Sequence, residues 1–304
     1  MRLFILLSYN GTAYSGWQRQ NNAPSVQAEL ERAFSVYFRN KTEITGAGRT
    51  DAGVHAVNYV AHLDTDYVNP LKDRQKLIYK INAILPNDIT IHDICHVDEA
   101  AHARFSALSR TYKYFIHTKK DPFLASFSYY YPYDLNIEAM GVAACHLVGE
   151  QDFTSMAKLH SDTNNNICNV TRAEWSLNAP VSIVDSRHIL GERFRICSTE
   201  KNLHITEKNL HITEKNCGVE ERCDNSTDSY TFCFTITANR FLRNMVRAVV
   251  GTLLEVGRGT YTPDTVIEIL NKHNRGAAGN SVPPHSLFLT DIEYPHQLFK
   301  EKTQ

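Results

Sequence analysis

Long apolar runs, paired cysteines and an excess of charge are all scarce in this 304-residue sequence. The apolar run near the start, Leu3 to Leu7, is only five residues long. A secretory signal needs about seven to fifteen apolar residues and a spanning helix about 20, so neither is expected and the protein reads as cytoplasmic. The seven cysteines are odd in number and scattered, with no C-x-x-C pair. Reduced thiols are therefore expected in place of a disulfide framework or a zinc knuckle. There are 14 histidines but no H-E-x-x-H and no spaced His/Cys cluster, so no metal site is assigned. Lys and Arg number 32 against 33 Asp and Glu, for a net charge of −1. The whole-chain total thus lacks the basic excess of most nucleic-acid-binding domains. With 42% hydrophobic and 21% charged residues, the composition is that of a globular chain able to bury a core.

What is present reads as alternating strands and helices. Residues 2–9 alternate and are rich in Phe, Ile, Leu and Tyr, which predicts a strand. Ser25 is a plausible N-cap for a helix whose apolar face is Val26, Leu30, Ala33, Phe34, Tyr37 and Phe38. After a glycine-punctuated segment from Gly46 to Gly53, VHAVNYVAHLD reads as a strand. A helix is expected to start at Asn69-Pro70, present Leu77, Ile78, Ile81 and Leu85, and stop at Pro86. ITIHDICHV and RTYKYFIHT are further strands, and Asn136–Leu147 is a further helix. The longest helix is expected over about 241–256, where Phe241, Met245, Val249 and Leu253 recur every four residues. This order predicts an α+β fold of two related units sharing sheets. From about 177 to 228 the pattern breaks down, and KNLHITE occurs twice in tandem (201–207 and 208–214). Two heptads are too few for a solenoid or coiled coil, so the stretch reads as an extended hairpin or partly disordered insertion.

Three segments carry most of the chemistry. GAGRTDAGVHA at 46–56 sets Arg49 and Asp51 among small residues, which leaves the carboxylate unobstructed. Its glycines do not fit G-x-G-x-x-G, and a loop aspartate taken alone would serve an Asx-turn. Arg240, Arg243 and Arg247 are three and four residues apart, the spacing of one helical face. Such a stripe is either a solvated face or a grip for phosphate and carboxylate. ARFSALSRTYKYFIHTKK holds Arg104, Arg110, Lys113, Lys119 and Lys120 with no acid, interleaved with aromatics. Basic residues with aromatics suit a phosphate backbone and stacked bases, while the bland reading is a core strand with its cations in water.

GAGRTDAGVHA closely resembles the catalytic motif of the TruA-type tRNA pseudouridine synthases. YNGTAYSGWQRQ with SVQAELE, INAILPNDI, ARFSALSRTYKY, GEQDFTS, NRFLRNMVRAVVG and LFLTDIEYP follow the family order. Together they cover most of 2–174 and 230–295. The resemblance implies an α+β pseudouridine synthase fold: two related units with mostly antiparallel sheets joined into one extended sheet, helices on one side, and a basic cleft between. It divides the chain into 1–104, with the Asp loop, and 105–304, with the Tyr strand, the Arg helix and the insertion. It also implies a homodimer, no cofactor, and isomerisation of uridine at positions 38–40 of the tRNA anticodon stem-loop. Near the end, SLFL stands where the family pattern has Gly-Leu-aromatic-Leu.

By motif position, Asp51 resembles the catalytic aspartate, Arg247 the arginine that pairs with it, and Tyr112 the tyrosine that stacks on the uracil. Arg49 resembles the arginine that fills the space of a flipped-out base. Arg19, Lys119, Arg240 and Arg243 are expected to contact phosphate and Leu287 to line the uracil pocket, whereas Tyr14 and Trp17 are expected to pack the first loop. Two other readings share these residues: an N-glycosidase that releases uracil, and a tRNA-folding chaperone without chemistry. The positive charge is also segregated. Residues 101–120 hold five basic and no acidic groups, and 239–260 hold four and one, so the near-neutral total conceals local basic surfaces.

Overall fold

The predicted first strand forms β1 (Arg2–Tyr9), but it is buried on both faces instead of alternating. The reason is its place in the sheet: Phe4 packs edge-on against Tyr294 and Phe299, so the end of the chain covers the face that would otherwise be wet. The structure is a computed structural model that describes residues 1–67, 71–158, 165–178 and 231–299. The tandem KNLHITE repeat and most of the predicted insertion lie outside the described residues. So do Asn69 and Pro70.

Helix α1 (Val26–Phe38) begins where Ser25 Oγ accepts the Ala28 N–H at 3.3 Å, and it ends at Arg39 in a left-handed conformation. Helix α2 (Arg74–Ile84) begins later than Asn69-Pro70, because the Asp73 carboxylate caps the Lys76 N–H at 3.1 Å. Strands β2 (Ile44–Gly46), β3 (His55–Asp64) and β4 (Ile89–His96) complete the first part. Strands β5 (Ser109–His117) and β6 (Tyr129–Tyr130), α3 (Ile137–Cys145), β7 (Gly149–Asp152), β8 (Ile167–Asn178) and β9 (Thr231–Ala238) follow. Last come α4 (Met245–Gly257), α5 (Thr265–Asn271) and β10 (Leu287–Glu293). The four-residue apolar repeat therefore starts its helix at Met245, not Phe241, and α4 matches α1 in length at 13 residues.

The ten strands of the described residues form one mixed sheet in the order β4-β1-β3-β10-β5-β9-β8-β7, with β2 on β3 and β6 on β5. The joint is β10, the last described strand in sequence. It runs parallel to β3, with Phe288 opposite His55, and antiparallel to β5, with Leu289 opposite Tyr112. One buried cluster joins α1 and α2 (Leu30, Phe34, Leu77, Ile81) to β1, β3 and β4. A second joins α3 and α4 (Met140, Ala143, Met245, Val249) to β5 and β9, and Tyr112 packs against both. A small third cluster, Val57, Phe115, Cys233 and Phe288, lies on the opposite face, because Phe115 and Phe288 alternate with the residues of the second cluster. At the far edge, Asn82 of α2 completes the unpaired side of β4. Its side chain donates to Ile91 O (2.9 Å) and accepts from Ile91 N (2.8 Å), as a neighbouring strand would.

Candidate active site

The small residues of the Asp51 loop let three other segments close tightly around it. Ala47 N–H donates to Val60 O at 2.9 Å, and the buried Tyr59 hydroxyl donates to Gly48 O. Thr50 Oγ1 shares a hydrogen bond with the Tyr9 hydroxyl at 2.9 Å, Gly53 N–H donates to Tyr14 O at 3.2 Å, and Trp17 N–H reaches Thr50 O at 3.4 Å. Gly16 has φ +101, and a Cβ there would stand 2.3 Å from Thr50 O. Only glycine fits that approach. His55, just after the loop, is 1% exposed and accepts the Gly11 N–H at Nδ1 (3.0 Å) while Nε2 lies 2.9 Å from His285 O. A neutral ring with its proton on Nε2 satisfies both contacts, and burial pulls its pKa down to about 4. Tyr14 and Trp17 are packing residues, as expected. Tyr14 donates to Asp88 Oδ1 (2.6 Å), and Trp17 stacks on Tyr59 with ring centres 4.1 Å apart.

Two guanidinium groups face the Asp51 carboxylate, one on each oxygen. Arg247 Nη1 lies 3.7 Å from Oδ2, and Arg243 Nε lies 3.7 Å from Oδ1. Asp51 is 22% exposed and Arg247 21%, while Arg243 is 64% exposed. At these separations the attraction is Coulombic, and the carboxylate lone pairs remain open to a ligand. Tyr112 on β5 packs edge-on against Phe241, 5.0 Å between ring centres. Its hydroxyl is pushed well above the ordinary tyrosine range by burial and then by the nearby Asp51 charge, with Arg110 pulling the other way. The phenol is therefore neutral at physiological pH.

The arginine stripe is not a helical face. Only Arg247 lies on α4; Arg240 and Arg243 belong to the loop before it, which turns into the helix through Asn244 at φ +66. The physical reason is that Asn244 tolerates the left-handed region and its amide donates to Ser281 Oγ at 2.6 Å. Arg275 donates to the same hydroxyl at 2.8 Å. Arg247 Nε donates to Val282 O at 2.7 Å, and Val282 N–H returns a bond to Arg247 O at 3.2 Å. Segment 275–282 thus aims Arg247 at Asp51. Gly251 makes this possible, since a Cβ there would meet Asn280 O at 1.7 Å.

The other expected contacts are more scattered. Arg49 is exposed and has no ion pair among the described residues. Arg19 Nη1 pairs with Glu31 Oε2 at 3.0 Å, so its charge is already partnered. Arg240 is half-buried at the end of β9. Lys119 is exposed beyond the end of β5; the end of that strand is itself about 17 Å from Tyr112 at the usual strand rise. Leu287 is buried in the second cluster, opposite Tyr114.

Arg110 does not project into water as the basic-strand pattern suggested. Its two amino groups donate to four backbone carbonyls: Nη1 to Ala107 (3.0 Å) and Asn239 (2.8 Å), Nη2 to Ala47 (3.2 Å) and Arg104 (2.5 Å). Neither this clamp nor the His55 bridge follows from the motifs. The one signal in the sequence is that each residue lies inside a segment with chemistry.

The family profile described as tRNA pseudouridine synthase matches residues 143–295. The tRNA pseudouridine synthase A of Bacteroides fragilis is 41% identical over 299 residues, 98% of each chain. That of Parabacteroides distasonis is 41% identical over 298 residues, again 98% of each. The Bacillus subtilis protein of the same name is 33% identical over 298 residues, 97% of this chain and 99% of that one. Identity at this level over nearly the whole length, together with the profile match, means that the chain belongs to the tRNA pseudouridine synthase family.

Proposed function

We propose that the protein converts uridine to pseudouridine at positions 38–40 of the tRNA anticodon stem-loop, with Asp51 as the catalytic residue. The observation that carries this reading is the pairing of Asp51 with Arg243 and Arg247, which come from a segment far from it in sequence. In the reaction the N1–C1′ bond breaks, the uracil turns within the site, and C5 bonds to C1′; the C5 proton leaves and N1 gains one. Asp51 acts either as nucleophile at C1′ or as base at the neighbouring ribose carbon.

Arg247 and Arg243 hold the carboxylate against the polyanionic substrate. Tyr112, as a neutral phenol, stacks on the uracil; it takes up the C5 proton only by relaying its own. A base in a helical stem must be flipped out at a cost of about a few kcal/mol, and the exposed Arg49 takes the vacated space. Arg19, Lys119, Arg240 and Arg243 contact phosphate, and Leu287 backs the uracil pocket. The reading includes a homodimer and the division into 1–104 and 105–304.

Asp51→Asn should abolish tritium release from tRNA labelled at uracil C5 while tRNA binding persists. A variant that keeps its turnover would overturn the proposal. Free uracil on chromatography would support N-glycosidase chemistry instead.

A further inference from the structure

We infer that Arg110 is a positioning residue that locks the Asp51 loop and the arginine loop into one rigid unit. The inference rests on the reading of Asp51 as the catalytic group. Four donor hydrogens of one guanidinium meet four carbonyls from three segments: Ala47 in the Asp51 loop, Arg104 and Ala107 in the loop before β5, and Asn239 at the end of β9. Ala47 is four residues before Asp51, and Asn239 is four residues before Arg243. The clamp therefore fixes the backbones that carry both sides of the Asp51–Arg243 pair.

The chemistry of this residue is unusual for a half-buried arginine. Among the described residues no salt bridge compensates Arg110, and burial lowers its pKa. Such a charge is costly to retain, since a buried cation normally takes a carboxylate partner. Carbonyl dipoles can hold it, but only in the flat fork geometry of a guanidinium. A carboxylate at this position would be a competing anion two residues from Tyr112. The carbonyl cage fixes the loops and leaves the positive charge to act on Tyr112, whose hydroxyl it pulls down against the effect of Asp51. A lysine would keep the charge, but its single nitrogen has three donors and could not span four carbonyls.

The test compares wild type, Arg110→Lys, Arg110→Ala and Asp51→Asn on an unmodified tRNA transcript labelled with tritium at uracil C5. Single-turnover rate, KM, tRNA affinity and folded fraction by circular dichroism are measured for each. Arg110→Lys should lose at least tenfold in rate at saturating tRNA, with affinity within about threefold and a folded fraction near that of wild type. Ethylguanidinium should restore part of the rate to Arg110→Ala and none to Asp51→Asn. A folded Arg110→Lys within twofold of the wild-type rate overturns the inference. So does a loss in either Arg110 variant that merely tracks its unfolded fraction and is not relieved by ethylguanidinium. An active Asp51→Asn instead overturns the reading on which the inference rests, so the two failures are distinguishable.

Discussion

Mild acid should destabilise this protein through two buried histidines. His55 accepts the Gly11 N–H, and His62, 5% exposed, accepts the Ala103 N–H at 3.1 Å; protonating either Nδ1 would set one N–H against another. Burial is the leading cause that lowers both to about 4, from an ordinary 6.5. With the folded pKa below the unfolded one, the unfolded chain binds more protons between these values. Stability is therefore full above pH 6.5 and falls as the pH drops towards 4. From pH 7.5 to 5.0 the linkage amounts to about 2 kcal/mol per histidine, about 4 kcal/mol for the pair. That is a large part of the roughly 5–15 kcal/mol by which such chains are stable. His102, His117 and His285 are shifted the same way, while Asp291, raised by burial, works in the opposite direction.

Urea unfolding followed by circular dichroism at pH 7.5 and 5.0 measures the difference directly. His55→Asn keeps an oxygen acceptor for Gly11 and should remove about 2 kcal/mol of it. A difference below about 1 kcal/mol in wild type, or an unchanged one in His55→Asn, would refute the reasoning.

Gly251→Ala places a methyl group 1.7 Å from Asn280 O and should destabilise by at least about 1–3 kcal/mol, read as a lowered Tm. It should also slow turnover, because the displaced segment holds Arg247 through Val282. Arg243→Ala should weaken tRNA binding and reduce the salt slope by about 1; an unchanged slope would place this side chain away from phosphate. Asn82→Asp turns the donor facing Ile91 O into a carboxylate and should cost roughly 1–3 kcal/mol in chemical unfolding. Asn82→Ala, which leaves the Ile91 groups to water, should cost less.

Local signals in the sequence located most of the elements. Ser25 and Asn136 cap the helices that their neighbours' periodicity predicts. The boundaries that moved did so where a side chain outside the pattern decided them: Asp73 starts α2, and Asn244 delays α4 by one turn. Periodicity counts apolar positions, and it could not register that Asn244 would leave the helical region to bond Ser281, 37 residues away.

Asp51, Arg247 and Tyr112 stand out as candidates in the sequence because each lies in a short motif with its own chemistry. Arg110 was misread because a basic residue beside aromatics looks the same in sequence whether it faces a phosphate or a cage of carbonyls. Neutral overall charge concealed the basic segments for a similar reason, since a sum carries no position. Element order suggested two α+β units; the described residues hold two large buried clusters, and these are not separate in sequence. Val54 belongs to the second, and Leu289 and Tyr294, near the end of the chain, belong to the first.

The place of β10 gives synthesis on the ribosome a direction. Every other described strand and every described α-helix is made before residue 287, yet the strand that joins β3 to β5 starts there. A growing chain can form the hairpins on either side of the joint early, while Ala56 and Tyr112 still lack the residue that lies between them. The spacing of β3 from β5, and with it that of Asp51 from Tyr112, is then set as one of the last events of synthesis. An incomplete chain would hold both side chains without the strand that fixes the distance between them.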